Sequence, residues 1–174
     1  MSDHDPRRPG APLELPKEGV ARFDVELAHI LERYPEDRKA AAMLPALRLG
    51  QHLFGHLSTP VLKLAADRLG TSPARAEEVA TFYVMFHTEP VGRHLVEICT
   101  NVSCCLSGAE QIFEHLKKKL GVENGGTSAD GRVTLREVEC LGSCGTAPVM
   151  LLDEEEQRER LTIDKVEQIL GGLK

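Results

Sequence analysis

The stretch HLVEICT, residues 94–100, has the apolar and β-branched composition of a buried strand, and a cysteine lies near its end. The pattern then predicts an amphipathic helix over residues 108–120 and a second strand in RVTLREVEC, residues 132–140. A strand, a helix and a strand in this order form a βαβ unit, so the two strands should be parallel. The loops that follow them should then emerge at the same edge of the sheet.

The remainder of this half completes a small α/β sandwich. The apolar run APVMLL, residues 147–152, predicts a third buried strand. A closing helix is marked by Ile163, Val166, Ile169, Leu170 and Leu173. Residues 121–131 are expected to form a mobile loop, and the acidic run 153–156 a solvated turn between the last strand and the last helix. We therefore expect three or four strands in a domain covering residues 90–174.

Residues 20–89 have helical periodicity throughout and predict a bundle of four short helices. Two start signals are clear: Ser58-Thr59-Pro60 and Ser72-Pro73 each place a capping residue before a proline. The first helix should run from Val20 through Tyr34, since Pro35 follows. Short connections favour packing of neighbouring helices around one core.

The fourth helix carries Phe82, Tyr83 and Phe86 at spacings of three and four, and is expected to end before Pro90. An aromatic stripe of this kind favours a place in the core over a face for docking a partner. His52 and His56 have the i, i+4 spacing of a metal-binding pair. Without a third ligand in view, we expect both histidines at the surface.

Composition restricts the possible functions. The chain has 174 residues and a net charge of −6, with its basic residues spread out, which argues against binding nucleic acid. No apolar run reaches the roughly 20 residues needed to cross a bilayer, so we expect no membrane insertion and a cytoplasmic location. Residues 1–19 are rich in proline and charge, which predicts a disordered arm.

The five cysteines, Cys99, Cys104, Cys105, Cys140 and Cys144, all lie in the second half. Cys99 closes the first strand and Cys104 follows in its loop, while Cys140 closes the second strand and Cys144 follows in its loop. If the strands are parallel neighbours, four thiols converge at one edge of the sheet.

Several chemistries compete for four converging thiols. Disulfides are disfavoured in the reducing cytosol, and the chain has no Cys-x-x-Cys redox motif. Structural zinc sites favour tight Cys-x2-Cys knuckles, whereas the spacings here are Cys-x4-Cys and Cys-x3-Cys. An iron–sulfur cluster fits best, because a two-iron core is wider than one ion and takes two thiolates on each iron. Zinc and free thiols remain open at this point.

Small residues dominate the stretch ECLGSCGTAPVM, residues 139–150. An iron–sulfur cluster is negatively charged, so backbone N–H groups must approach its sulfurs closely. Small side chains permit that approach, and Gly142 or Gly145 can adopt a positive φ. This composition therefore favours the cluster over the other chemistries.

Three stretches resemble a known family: YPEDRKAAAMLPALRLGQ (34–51), VATFYVMFHTEPVGRHLVEICTNVSCCLSGAEQ (79–111) and ECLGSCGTAPVM (139–150). They are similar to the thioredoxin-like [2Fe–2S] subunit of NADH:quinone oxidoreductase, the NuoE type of respiratory complex I. The resemblance covers roughly residues 20–172. It implies an α+β chain, an N-terminal four-helix bundle followed by a thioredoxin-like [2Fe–2S] ferredoxin domain.

The resemblance also implies a site and a role. The family's four cluster ligands correspond to Cys99, Cys104, Cys140 and Cys144. Only the resemblance selects Cys104 over the adjacent Cys105, and we expect Cys105 to be a small buried side chain. The cluster would exchange single electrons with FMN on a NADH-binding flavoprotein partner of the NuoF type. The chain would thus belong to an oxidoreductase, peripheral to the inner membrane, with no complete active site of its own and no catalytic residue. The alternative within this class is the diaphorase subunit of an NAD-linked hydrogenase or formate dehydrogenase.

Two interpretations of other classes remain. A thiol enzyme would use Cys104 or Cys144 as nucleophile with His94 or His115 as base, although His94 is expected to be an ordinary strand residue. A zinc-stapled interaction module would use the same four cysteines and would lose its fold to chelators.

Overall fold

The computed structural model describes residues 14–173, which form two compact units, one ending at Pro90 and the other beginning at Val91. Residues 1–13 of the predicted arm lie outside the described part. Helix α1 begins at Lys17, so residues 17–19 of that arm are helical, contrary to the prediction. Glu18 in the first turn favours this earlier start, since an acidic side chain stabilises a helix N-terminus.

The N-terminal unit is helical: α1 (Lys17–Leu31), a 3-10 helix (Glu36–Ala42), α2 (Met43–Phe54), α3 (Thr59–Arg68) and α4 (Pro73–Phe82). Phe23, Leu47 and Val61 are fully buried in its core. Both predicted start signals are used, and the Ser72 hydroxyl accepts a hydrogen bond from the Arg75 N–H at 3.3 Å. The first helix ends at Leu31 instead of Tyr34, because a turn precedes Pro35.

Helix α4 ends earlier than its apolar spacing predicts. Tyr83 has extended dihedral angles, φ −93° and ψ 119°, so the helix stops at Phe82. Phe86 is buried, with 6% exposed, but Phe82 is 76% exposed and Tyr83 is also exposed. The prediction of a core stripe is therefore wrong for Phe82 and Tyr83, because beyond the helix end the spacing no longer places the three rings on one face.

The histidine pair is split by the end of α2. His52 lies on the helix and is exposed, as predicted. Gly55 then adopts a left-handed conformation with φ 82°, which turns the chain inward and leaves His56 only 5% exposed. The prediction of a surface position is wrong for His56.

The C-terminal unit contains β1 (His94–Cys99), α5 (Val102–Leu106), α6 (Ala109–Leu120), β2 (Val133–Val138), β3 (Met150–Leu152), β4 (Glu156–Arg158) and α7 (Ile163–Gly172). The strand order is β2-β1-β3-β4. β1 and β2 are parallel neighbours, which confirms the βαβ prediction, and β3 and β4 are added antiparallel.

Two connections differ from the prediction. In the acidic run, residues 153–155 turn the chain between β3 and β4 and Glu156 begins β4, so the run does not lie between the last strand and the last helix. The segment 121–131 folds back on β2: the Gly125 N–H donates to the Leu135 carbonyl at 2.8 Å, and the Leu135 N–H to the Gly126 carbonyl at 3.0 Å. These hydrogen bonds cover the outer edge of β2, where backbone N–H and C=O groups would otherwise lack partners in the sheet.

The core of this unit joins the sheet to helices α6 and α7, with Ile98, Leu116 and Val166 fully buried. His94 lies in β1 as predicted, and its Nδ1 is 2.8 Å from Asp153 Oδ2. In the described residues, no helix combines the length and the apolar character needed to cross a membrane.

Candidate metal centre

The ends of the two parallel strands bring the cysteine pairs together. Cys99 is the last residue of β1 and lies opposite Val138, the last residue of β2. Cys140 follows two residues beyond β2, so it does not close that strand as predicted. Cys104 lies in α5 instead of a loop, and Cys144 begins a short 3-10 helix.

Four thiols converge at this edge, as the strand arrangement predicts. The thiols of Cys104 and Cys140 are neighbours of the Cys99 thiol and act to lower its pKa. Cys144 is close enough to Cys104 for charges on the two sulfurs to interact. Cys99 and Cys104 are buried, whereas Cys140 and Cys144 are exposed. The site therefore has an inner and an outer pair of sulfurs.

The two buried cysteines, Cys99 and Cys104, differ in the direction of their pKa shifts. Burial acts to raise the pKa of Cys99, but hydrogen bonds from backbone N–H groups of Asn101 and Leu141 and from neighbouring thiols bring it below its ordinary value. Burial and the adjacent Cys99 raise the pKa of Cys104 to about 11. A bound metal ion would instead favour the thiolate form of Cys104, because coordination to a metal deprotonates a thiol.

The loop between Cys140 and Cys144 turns at Gly142, whose φ of 75° is a conformation that side-chain-bearing residues rarely adopt. Its N–H points at the Cys140 sulfur, at an N···S distance of 3.4 Å. The expectation that Gly142 or Gly145 takes a positive φ is met at Gly142. Small residues in this loop thus bring a backbone donor to a sulfur.

Cys105 points elsewhere. Its thiol donates to the carbonyl oxygen of Thr100 at 3.0 Å, and its side chain is only partly buried. The prediction that Cys105 is a small buried side chain is therefore only partly right, because the side chain is half-buried and its thiol makes a polar contact.

The donor set fits an iron–sulfur cluster: four sulfurs from two separate segments of the chain, with a backbone donor beside one of them. Residues 14–173 hold no group of three or more His, Cys, Asp or Glu side chains arranged to bind a metal ion.

The histidines named as bases for a thiol enzyme contact carboxylates. His94 Nδ1 is 2.8 Å from Asp153 Oδ2, and His115 Nε2 is 2.6 Å from Glu167 Oε1. His94 begins β1 and Cys99 ends it, so these two residues lie at opposite ends of the strand.

One contact at the site was not predicted from the sequence. The Ser143 hydroxyl, beside Cys144, donates to Glu159 Oε1 at 2.6 Å. Glu159 belongs to a charged run and lies far from Ser143 along the chain, so no local pattern distinguishes it from its acidic neighbours.

Comparison with known proteins identifies the family of this chain. The model of the thioredoxin-like [2Fe-2S] ferredoxin family matches residues 27–174. The second E-type subunit of NADH-quinone oxidoreductase from Rhizobium meliloti is 46% identical over 134 residues, which cover 77% of each chain. The E-type subunit of the same oxidoreductase from Mycobacterium tuberculosis is 40% identical over 146 residues, which cover 84% of this chain and 57% of that protein.

Among solved structures, an NAD+-reducing [NiFe]-hydrogenase in the air-oxidised state has a similar fold, with a TM-score of 0.68 and 22% sequence identity. The matched region covers 79% of this chain and 24% of the hydrogenase chain. The match therefore spans about a quarter of that chain and little more than half of the mycobacterial protein.

Proposed function

This chain belongs to the thioredoxin-like [2Fe–2S] ferredoxin family, and from that membership we propose that it is the electron-transfer subunit of an NADH-oxidising module. Relatives between 38% and 46% identical are E-type subunits of NADH-quinone oxidoreductase. The observation that carries the proposal is the convergence of four thiols from two segments of the chain at one edge of the sheet.

The chain carries one [2Fe–2S] cluster, which supplies one-electron redox chemistry when bound. We propose Cys99, Cys104, Cys140 and Cys144 as its ligands. The buried pair would keep one side of the site away from water, and the exposed pair would leave the other side open to a redox partner. The Gly142 N–H would stabilise negative charge on the Cys140 sulfur.

The partner in this proposal is a flavoprotein that binds FMN and NADH, within a larger NADH-quinone oxidoreductase complex at the cytoplasmic face of the inner membrane. Exposed apolar side chains support a docking role, since large apolar groups at a surface favour partner contact. In the N-terminal unit, Phe82 and Val84 are 76% and 75% exposed, and in the C-terminal unit Val102 and Leu106 are exposed beside the cysteines. The chain would contribute no complete active site of its own.

The test of this proposal is metal analysis of protein purified without oxygen. We expect about two irons and two acid-labile sulfides per chain, with a rhombic EPR signal that appears only after dithionite reduction. Single serine variants of the four proposed ligands should each lose most of the iron.

Other outcomes would favour the remaining classes. Stoichiometric zinc with no sulfide, and unfolding on chelation, would indicate an interaction module. Metal-free protein with titratable thiols and no visible absorbance would indicate free thiols, with a thiol enzyme as the next hypothesis. The hydrogenase likeness concerns the fold alone, so it does not favour the diaphorase alternative.

A further inference from the structure

The loop that carries Cys140 and Cys144 is held from outside by a carboxylate. Glu159 follows β4, and its Oε1 accepts hydrogen bonds from the Ser143 hydroxyl at 2.6 Å and from Gln157 Nε2 at 3.1 Å. Ser143 directly precedes Cys144 in the chain. The carboxylate is thus hydrogen-bonded to the residue next to a proposed ligand.

Further hydrogen bonds lie within the loop, and one joins it to the segment that follows β4. Ser143 Oγ and Thr146 Oγ1 are 2.9 Å apart, and the Thr146 N–H donates to the Ser143 carbonyl at 3.0 Å. The Arg160 N–H donates to the Thr146 carbonyl at 2.8 Å, and the Lys165 ammonium donates to the Glu159 carbonyl. Glu159 is therefore fixed at both its side chain and its backbone.

The carboxylate of Glu159 is held in its ionised form. Hydrogen bonds from Ser143, Thr146 and Gln157 lower its pKa below the ordinary value for glutamate. An ionised carboxylate is an acceptor only, and hydrogen bonds to charged groups are the stronger ones.

The loop needs such support because its own side chains make few packing contacts. Gly142 and Gly145 would meet no neighbouring atom even if they carried a Cβ, and Cys140 and Cys144 are exposed. Backbone of this kind has a large conformational entropy to lose when it is ordered. A contact from a neighbouring segment reduces the number of positions open to Cys144.

We propose that Glu159 is a positioning residue, whose hydrogen bond to Ser143 holds the Cys140–Cys144 loop in the geometry that retains the cluster. This inference rests on the proposed role of Cys140 and Cys144 as ligands. Glu159 acts through Ser143 and touches neither sulfur in its described contacts.

The experiment follows cluster loss from the full-length holoprotein, as the decay of visible absorbance under excess iron chelator. Glu159→Ala should lose the cluster about tenfold faster than the wild type, because a charge-assisted hydrogen bond is removed. Glu159→Gln keeps the acceptor oxygen and should stay within about threefold of the wild type. Glu155→Ala removes a carboxylate from the turn of the same hairpin and should match the wild type.

A double-mutant cycle with Ser143→Ala separates positioning from general destabilisation. Both single variants and the double variant should lose the cluster at similar rates, since each removes the same contact. Additive effects in this cycle, a Glu159→Ala rate equal to wild type, or a Glu159→Gln rate equal to Glu159→Ala would each overturn the inference. Wild-type protein purified without any cluster would refute the proposed function, and this is determined before the variants are compared.

Discussion

Two neighbouring cysteines have different surroundings although the chain places them side by side. Cys104 is buried, and its thiol neighbours that of Cys99, which acts to raise its pKa. Cys105 donates its thiol to the Thr100 carbonyl at 3.0 Å. Because a helical residue and its successor project in different directions, only one of the two sulfurs can face the other cysteines.

We therefore expect opposite results from two serine variants. Cys104→Ser should retain roughly a tenth or less of the wild-type iron. Losing a ligand should lower metal affinity at least as much as losing a hydrogen bond to a ligand, which lowers it roughly tenfold or more. Cys105→Ser should retain wild-type iron and sulfide, since a hydroxyl can also donate to Thr100. Substantial cluster in Cys104→Ser would show that Cys105 substitutes as a ligand.

His56 is a buried titratable group in the N-terminal unit. Within the described residues its Nδ1 has no hydrogen-bond partner. Burial lowers its pKa below the ordinary value of 6.5, although the nearby Glu89 carboxylate acts in the opposite direction. The folded state therefore favours the neutral ring.

This shift gives a pH dependence with a definite sign. Well above pH 6.5 the His56 ring is neutral in both the folded and the unfolded protein. As the pH falls through 6.5, the unfolded chain binds a proton before the folded protein does. We expect His56 to make the N-terminal unit less stable as the pH falls from about 7.5 to about 5.5. His56→Gln should show a smaller fall in unfolding temperature over this range, as measured by circular dichroism. Parallel pH profiles for the two proteins would contradict the expectation.

At the scale of secondary-structure elements, the contact between α2 and α3 depends on a glycine. A Cβ on Gly50 would lie 2.8 Å from Val61 Cγ1 and 3.5 Å from Leu57 Cδ2. Val61 is fully buried and its β-branched side chain has few rotamers, so it cannot move aside easily. The absence of a side chain at Gly50 permits the close approach of the two helices.

Gly50→Ala should accordingly destabilise the N-terminal unit by about 1–3 kcal/mol, since overpacking outweighs the better helix propensity of alanine. Gly171, in α7, has open space around its Cβ position and provides the matched control. Gly171→Ala should be neutral or stabilising by up to about 1 kcal/mol. Urea unfolding of both variants measures the difference, and a stabilised Gly50→Ala protein would show that the helices separate at little cost.

The long elements were predictable from the sequence because each repeats a local pattern. Helix α6 and strands β1 and β2 lie where periodicity and strand composition place them, to within a few residues. The short elements α5 and β4 were missed, since three to five residues contain too few repeats to show a period. The end of α4 was misplaced because apolar spacing continued past the point where the backbone leaves the helix.

At the scale of the whole molecule, each unit has its own hydrophobic core. All buried residues of one core lie between Phe23 and Phe86, and those of the other between Val96 and Leu170. The proposed ligands all belong to the second unit, while the exposed residues Phe82 and Val84 belong to the first. Partner binding and cluster binding can therefore be tested with separate substitutions.

The double variant Phe82→Ser, Val84→Ser should bind the proposed flavoprotein partner at least about tenfold more weakly, because two exposed apolar side chains are lost. Its iron and sulfide should equal those of the wild type. Val25→Ser removes an exposed apolar side chain from α1 of the same unit and serves as the control. Unchanged affinity in titrations of the purified flavoprotein would exclude this surface as part of the docking site.

Patterns along the chain predicted the order of the main helices and strands, the parallel pairing of β1 and β2, and the approach of two cysteine pairs at one edge. These follow from periodicity, composition and the topology of a βαβ unit, which are readable along the chain. Tertiary contacts, by contrast, set the orientation of Cys105 towards Thr100, the exposure of Phe82, the burial of His56 and the hydrogen bond from Ser143 to Glu159. Such details depend on where a helix ends and on contacts between residues distant in sequence, and local pattern carries no information about either.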